Sequence, residues 1–158
     1  MDKMTRSILA GTLGGLAAGA AMTGLMVASQ AFGMDQADDA VRIARRTGSQ
    51  LGLGRRRLDE RPSVQEEAVA QGGHLALSAA LGAAYGAVHR RIGLPAIPSG
   101  LLLGLGFYPV AFGVAGPLLG ITEKPWEAQP RLLGQRAAFH AMFGIVTALV
   151  TKQLARVL

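Results

Sequence analysis

The 158-residue chain contains no cysteine. That excludes disulfides, iron–sulfur clusters and thiolate zinc sites. Charge is sparse: Asp, Glu, Lys and Arg make up 16% of the residues, well below the share usual in soluble domains. Aromatic residues are only 5%, so a water-soluble core of this size would be poorly filled. There is no Gly-rich phosphate loop, no HExxH and no nucleophile elbow. GLGRRR at 52–57 lacks the strand before it and the helix after it that a dinucleotide fingerprint needs. Ser78 lies four residues from His74, but no third group is evident to activate it. The chain is therefore not expected to be an enzyme.

What is present is apolar and small. Half of the residues are hydrophobic, and 22 are glycine. Glycine and alanine inside apolar runs let helix backbones approach closely in a bilayer. Four such runs stand out, at 7–33, 74–93, 97–120 and 136–157. Each approaches the roughly 20 residues that a helix needs to cross the hydrocarbon. None holds an acidic residue. The expected fold is all-α: one membrane domain, a four-transmembrane-helix bundle with a polar, partly helical segment at 34–72. A competing reading makes the N-terminus a signal peptide, with Lys3 and Arg6 before the apolar run and MVASQA as the cleavage region.

The 34–72 segment carries seven arginines and seven acids. DQADDAVRIARRTG has its acids early and its arginines late, as a helix dipole favours, and predicts a short helix at the membrane surface. GLGRRRLDERP follows as loop. Ser63 with Glu66 three residues on forms a capping box, so the second long helix should begin near 64. Pro130 suits the first position of the fourth helix. Trp126, between two prolines, reads as an interfacial anchor.

Net charge is +6, which suits anionic lipid headgroups. Nucleic acid is not expected, because the arginines of 34–72 are matched by acids and no aromatics interleave with them. The expected partners are the lipid bilayer and either a second copy of the chain or another membrane protein.

At 100° per residue, His74, Ser78, Tyr85 and His89 fall within about 60° on one side of their helix. Glu67 and Gln71 extend the same line. Arg136, His140, Gly144, Thr147 and Thr151 form a similar arc, about 80° wide, on the last helix. Polar groups are costly in hydrocarbon unless partnered, so both stripes should face inward, towards each other. Ser7, Gly11, Gly15, Gly19 and Thr23 repeat every four residues, a ridge suited to close helix packing. On the third span Gly106, Gly113, Pro117 and Gly120 share one side, and Pro109 should kink the helix.

His74 and His140 should sit at similar depth. Neutral imidazoles on facing helices suit haem or a transition metal, but two histidines without a third ligand specify neither, and no cofactor is predicted. His89, next to Arg90 and Arg91, reads as an interfacial residue. A polar stripe also suits a proton or ion path through a homo-oligomer.

GHLALSAALGAAYGAV, GLLLGLGFYPVAFGVAGPLLGIT, Pro125–Trp126 and a histidine early in the last span occur in this order over 73–150. This order resembles the YagU-like family of small bacterial inner-membrane proteins, whose biochemical function is undefined. The matching positions are His74, Ser78, Tyr85, Pro117 to Thr122, Pro125, Trp126 and His140. The resemblance implies a multi-pass protein of the bacterial inner membrane and supplies no mechanism. The loop before Pro125 is short for the pattern, and His140 follows AAF rather than glycine. Orientation rests on charge. Lys3, Arg6, Arg90, Arg91, Lys152 and Arg156 would share one side, and ten Lys/Arg the other. Asp35, Asp38 and Asp39 just after the first span favour cytoplasmic termini.

Overall fold

The computed structural model describes residues 1–31, 38–52, 63–120 and 122–158. All of its regular structure is helical, with no strand among the described residues. The GLGRRRLDERP loop beyond Gly52, and Phe32 and Gly33 at the end of the first apolar run, lie outside the described residues.

Helix α1 covers Lys3–Ala31. Asp2 opens it: its carboxylate accepts from the backbone N–H groups of Met4 and Thr5 at 2.8 and 2.9 Å. These donors have no partner within the helix, and a carboxylate at the positive end of the dipole is favourable. Helix α2, Asp38–Gln50, is the short helix expected in the polar segment, with Val41 buried.

Helix α3, Val64–Ile92, starts at the expected capping box. The Ser63 hydroxyl accepts from the Glu66 N–H at 3.3 Å, and the Glu66 carboxylate accepts from the Ser63 N–H at 2.9 Å. It ends at Gly93, whose φ of 68° is left-handed and favours glycine. The chain turns through Gly93–Pro95 into α4, Ala96–Tyr108.

At Pro109 the helix does not simply bend. It widens into a π-helical stretch, Pro109–Ala115, followed by the short α5, Gly116–Leu118. Proline has no N–H, so the regular i→i−4 bond is lost there. The wider winding restores pairing farther on: the Gly116 N–H reaches back five residues to the Ala111 carbonyl. Helix α6 spans Pro130–Val157, with Pro130 as its first residue.

The helices pack α3 on α1, α1 on α6, and α6 on α4, all antiparallel. α3 touches α4 and α6 only at a few places. The two polar stripes were expected to face each other. Instead α1 takes most of the inner face of α3, and α6 divides its own between α1 and α4. The reason is steric: α1 carries small residues on two sides. Gly11, Gly15 and Gly19 meet α3, while Gly14 meets Thr147 and Thr151 of α6.

Among the described residues, three helices are long and apolar enough to cross a membrane: Lys3–Ala28, Ala96–Leu118 and Pro130–Val157. The expected number was four. α3 has the length, at 29 residues, but falls short in hydropathy. Its polar stripe and the charged turns at both ends lower the mean.

Candidate functional site

The ridge on α1 lies wholly along α3. The Ser7 hydroxyl donates to the Gly86 carbonyl at 2.8 Å. A Cβ at Gly11 would fall on the Gly82 carbonyl, and one at Gly15 on the Ser78 carbonyl. Gly82 and Gly86 on α3 are equally tight against Gly11, Gly15 and Ser7. At the far end the Thr23 hydroxyl donates to the Gln71 side-chain oxygen at 3.0 Å. Ser78, buried, sits against Gly19.

α4 and α6 make a second backbone contact. Gly100 and Gly104 lie on the backbone of Gly144 and His140. Gly106, on the side of the third span that also carries Gly113, Pro117 and Gly120, faces open space. Glycine spacing alone does not distinguish the inner face of a helix from its outer face.

The polar stripe of α3 divides among different neighbours. Gln71 serves α1, as above. The buried Tyr85 hydroxyl lies 2.7 Å from the Ser99 hydroxyl of α4, tying the two helices beside their linking turn. Ser99 also donates to the Ala96 carbonyl at 3.1 Å. His89 stacks on Tyr85, and its Nδ1 lies 3.1 Å from the Gly86 carbonyl and 3.4 Å from the Ser7 hydroxyl. Glu67 stands apart from the interior: it is exposed. Its neighbour Glu66 is the inward one, pairing with Arg45 of α2 at 3.1 Å. The Arg45 side chain is itself nearly buried, at 7% exposure. That bond, the Ser63 N–H and the Ser63 hydroxyl pull the Glu66 carboxyl down to about 2. The heptad-like arithmetic that placed Glu67 inside took no account of α2, which docks on the first turns of α3.

His74 and His140 both lie in the first half of their helices, near the same end of the bundle. Their surroundings differ. His140 is packed in aromatic rings, with Phe107, Tyr108 and Phe112 at centroid distances of 6.1, 5.2 and 5.2 Å. Its Nδ1 lies 2.7 Å from the Arg136 carbonyl. A carbonyl only accepts, so Nδ1 carries the proton and Nε2 is the basic nitrogen. The Nε2 of His74 is buried without a hydrogen-bond partner.

Arg136 is buried, bridges to Glu123 at 3.1 Å and lies 5.5 Å over the Phe112 ring. The Tyr108 hydroxyl donates to the Leu133 carbonyl at 3.3 Å, joining α4 to α6. Thr147 and Thr151 are fully buried; Thr151 donates to the Thr147 carbonyl at 2.6 Å, and the Thr147 hydroxyl is unpartnered. Trp126 is 78% exposed beside Lys124, whose ammonium is 5.8 Å from the ring.

Sequence reasoning missed Tyr108, Phe112, Glu123, Ser99 and Arg45. The four-residue spacing of Tyr108 and Phe112 was legible, but the π-helical winding that aims both rings at His140 was not. Among the described residues no group of three or more His, Asp or Glu is placed to hold a metal ion. Comparison with protein-family models, curated proteins and solved structures finds no match.

Proposed function

We propose that this chain is a small integral membrane protein with a structural or interaction role, and that α3 is its fourth span. The support for the fourth span is α1, which qualifies as a span by its own composition. α3 lies antiparallel to it, glycine against glycine, from Ser7–Gly86 to Thr23–Gln71. A helix bound so closely to a spanning helix shares its depth. The polar groups that lower α3's hydropathy are bonded inward, where they cost little.

One observation carries the structural reading: a set of polar side chains along the helix contacts joins one helix to another. Thr23 with Gln71, Ser7 with Gly86, Tyr85 with Ser99, Tyr108 with Leu133 and Arg45 with Glu66 each link two different helices. A protein built this way holds a shape and presents it. The surface presented most openly is that of α4 and the π-helical stretch after it, where Leu102, Leu105, Val110 and Val114 are exposed. A second copy or another membrane protein would meet that face. The order of motifs over 73–150 supports membership of the YagU-like family and a bacterial inner-membrane location.

A second reading, proton, ion or small-solute transport by a homo-oligomer, is favoured by the buried, unpartnered Nε2 of His74. The two readings part in one experiment. A photo-crosslinker at Leu105, in native membranes, should give an adduct of defined mass, either a dimer or a fixed heteromer. Lipid adducts alone, together with liposome proton flux that His74→Ala and His140→Ala abolish, would replace the structural reading with transport.

A further inference from the structure

The antiparallel packing gathers the start of α1 and the ends of α3 and α6 at one end of the bundle. Six basic residues lie in these segments: Lys3, Arg6, Arg90, Arg91, Lys152 and Arg156. Asp2 is the one acid there, and its carboxylate is engaged by the first turn of α1 and by the Thr5 hydroxyl at 2.6 Å. Among the described residues none of the six makes an ion pair, and all but Arg6 are exposed. The Nε of Arg6 is buried without a hydrogen-bond partner.

The other end differs. There Arg45, Lys124 and Arg136 pair with Glu66, Glu127 and Glu123. Among the described residues, then, Arg45, Lys124 and Arg136 at that end are paired and Arg131 is not, whereas no cation of the first end is paired, which leaves the first end the more open to an anion.

What surrounds the open cations selects the occupant. Met4, Leu9, Val88, Leu94, Ile97 and Val157 are exposed alongside them. A polyanion such as nucleic acid would have to lie on apolar side chains. A phospholipid supplies both halves, acyl chains for the leucines and a phosphate for the arginines. We propose that this end binds the headgroups of anionic phospholipids in the leaflet it faces, an inference resting on the membrane reading above. Lys152, lying deeper than Arg156 along α6, reaches the same level by extending its stem outward.

The test uses the full-length protein in detergent. Thermal unfolding is followed with phosphatidylglycerol, with phosphatidylcholine of the same chains, and with inorganic phosphate. Phosphatidylglycerol should raise Tm by several degrees while the other two leave it unchanged. The shift should vanish in R90Q/R91Q/R156Q and persist in R131Q, which alters an exposed arginine at the other end. Native mass spectrometry of the wild type in an equimolar lipid mixture should show phosphatidylglycerol adducts several-fold in excess. Equal shifts from both lipids, reproduction of the shift by phosphate alone, or its survival in the triple variant would overturn the proposal. A chain that stays dispersed without detergent would remove the membrane reading itself.

Discussion

Tyr85 shows how a single side chain serves this bundle. Its ring is buried where lipid would otherwise be, and its hydroxyl reaches Ser99 across an interface that has few other contacts. Tyr85→Phe keeps the ring and removes the bond. Because Ser99 keeps its bond to Ala96, the cost should be about 0.5–1.5 kcal/mol, read as a lower midpoint of thermal unfolding in detergent. Glu66 works differently, through charge. Its folded-state value, about 2, lies below the ordinary 4.5. The bond to Arg45 therefore stabilises fully above about 4.5 and is lost as pH falls towards about 2. A distance probe between α2 and α3 should report their separation over that window, and Glu66→Gln should abolish the pH dependence. The capping box was legible in the sequence because its partners are three residues apart. The Arg45 pair was not, since 21 residues separate its partners and only the fold brings them together.

Among the elements, α1 has the largest share of the packing, and glycine is the means. A Cβ at Gly15 would collide with the Ser78 carbonyl and come within 3.0 Å of the Gly82 Cα. Backbone cannot give way as a side chain can. Gly15→Ala should therefore destabilise by about 1–3 kcal/mol despite alanine's better helix propensity. Gly24 lies on the same helix with nothing within 4 Å. Gly24→Ala should be neutral or stabilise by up to about 1 kcal/mol. Comparing the two in one thermal-unfolding series checks the claim, and equal effects would contradict it. The Ser7-to-Thr23 ridge was legible because its period is that of one helix face. The packing face of α4 was not, since Gly100, Gly104 and Gly106 carry the same chemistry and only the neighbour decides which is buried. The π-helical stretch was half legible: Pro109 announces a disruption, while the way the backbone repairs it depends on the rings and on α6.

At the scale of the whole molecule, the apolar runs form the long helical segments, and glycines that meet across α1 and α3 and across α4 and α6 fix their close antiparallel packing. The sequence placed the polar stripes of α3 and α6 opposite each other. The fold places α1 between them, because a helix with small residues on two sides packs closest to both. The central claim is that α3 crosses the membrane with α1, putting both termini on one side and α2 on the other. The absence of cysteine makes the test direct. Single cysteines at Leu51 and Arg91, both exposed, are labelled in intact cells or oriented vesicles with a maleimide that does not cross the bilayer. The account predicts that the two positions label from opposite sides, with Leu158→Cys matching Arg91→Cys. Labelling of Leu51→Cys and Arg91→Cys from the same side would contradict it.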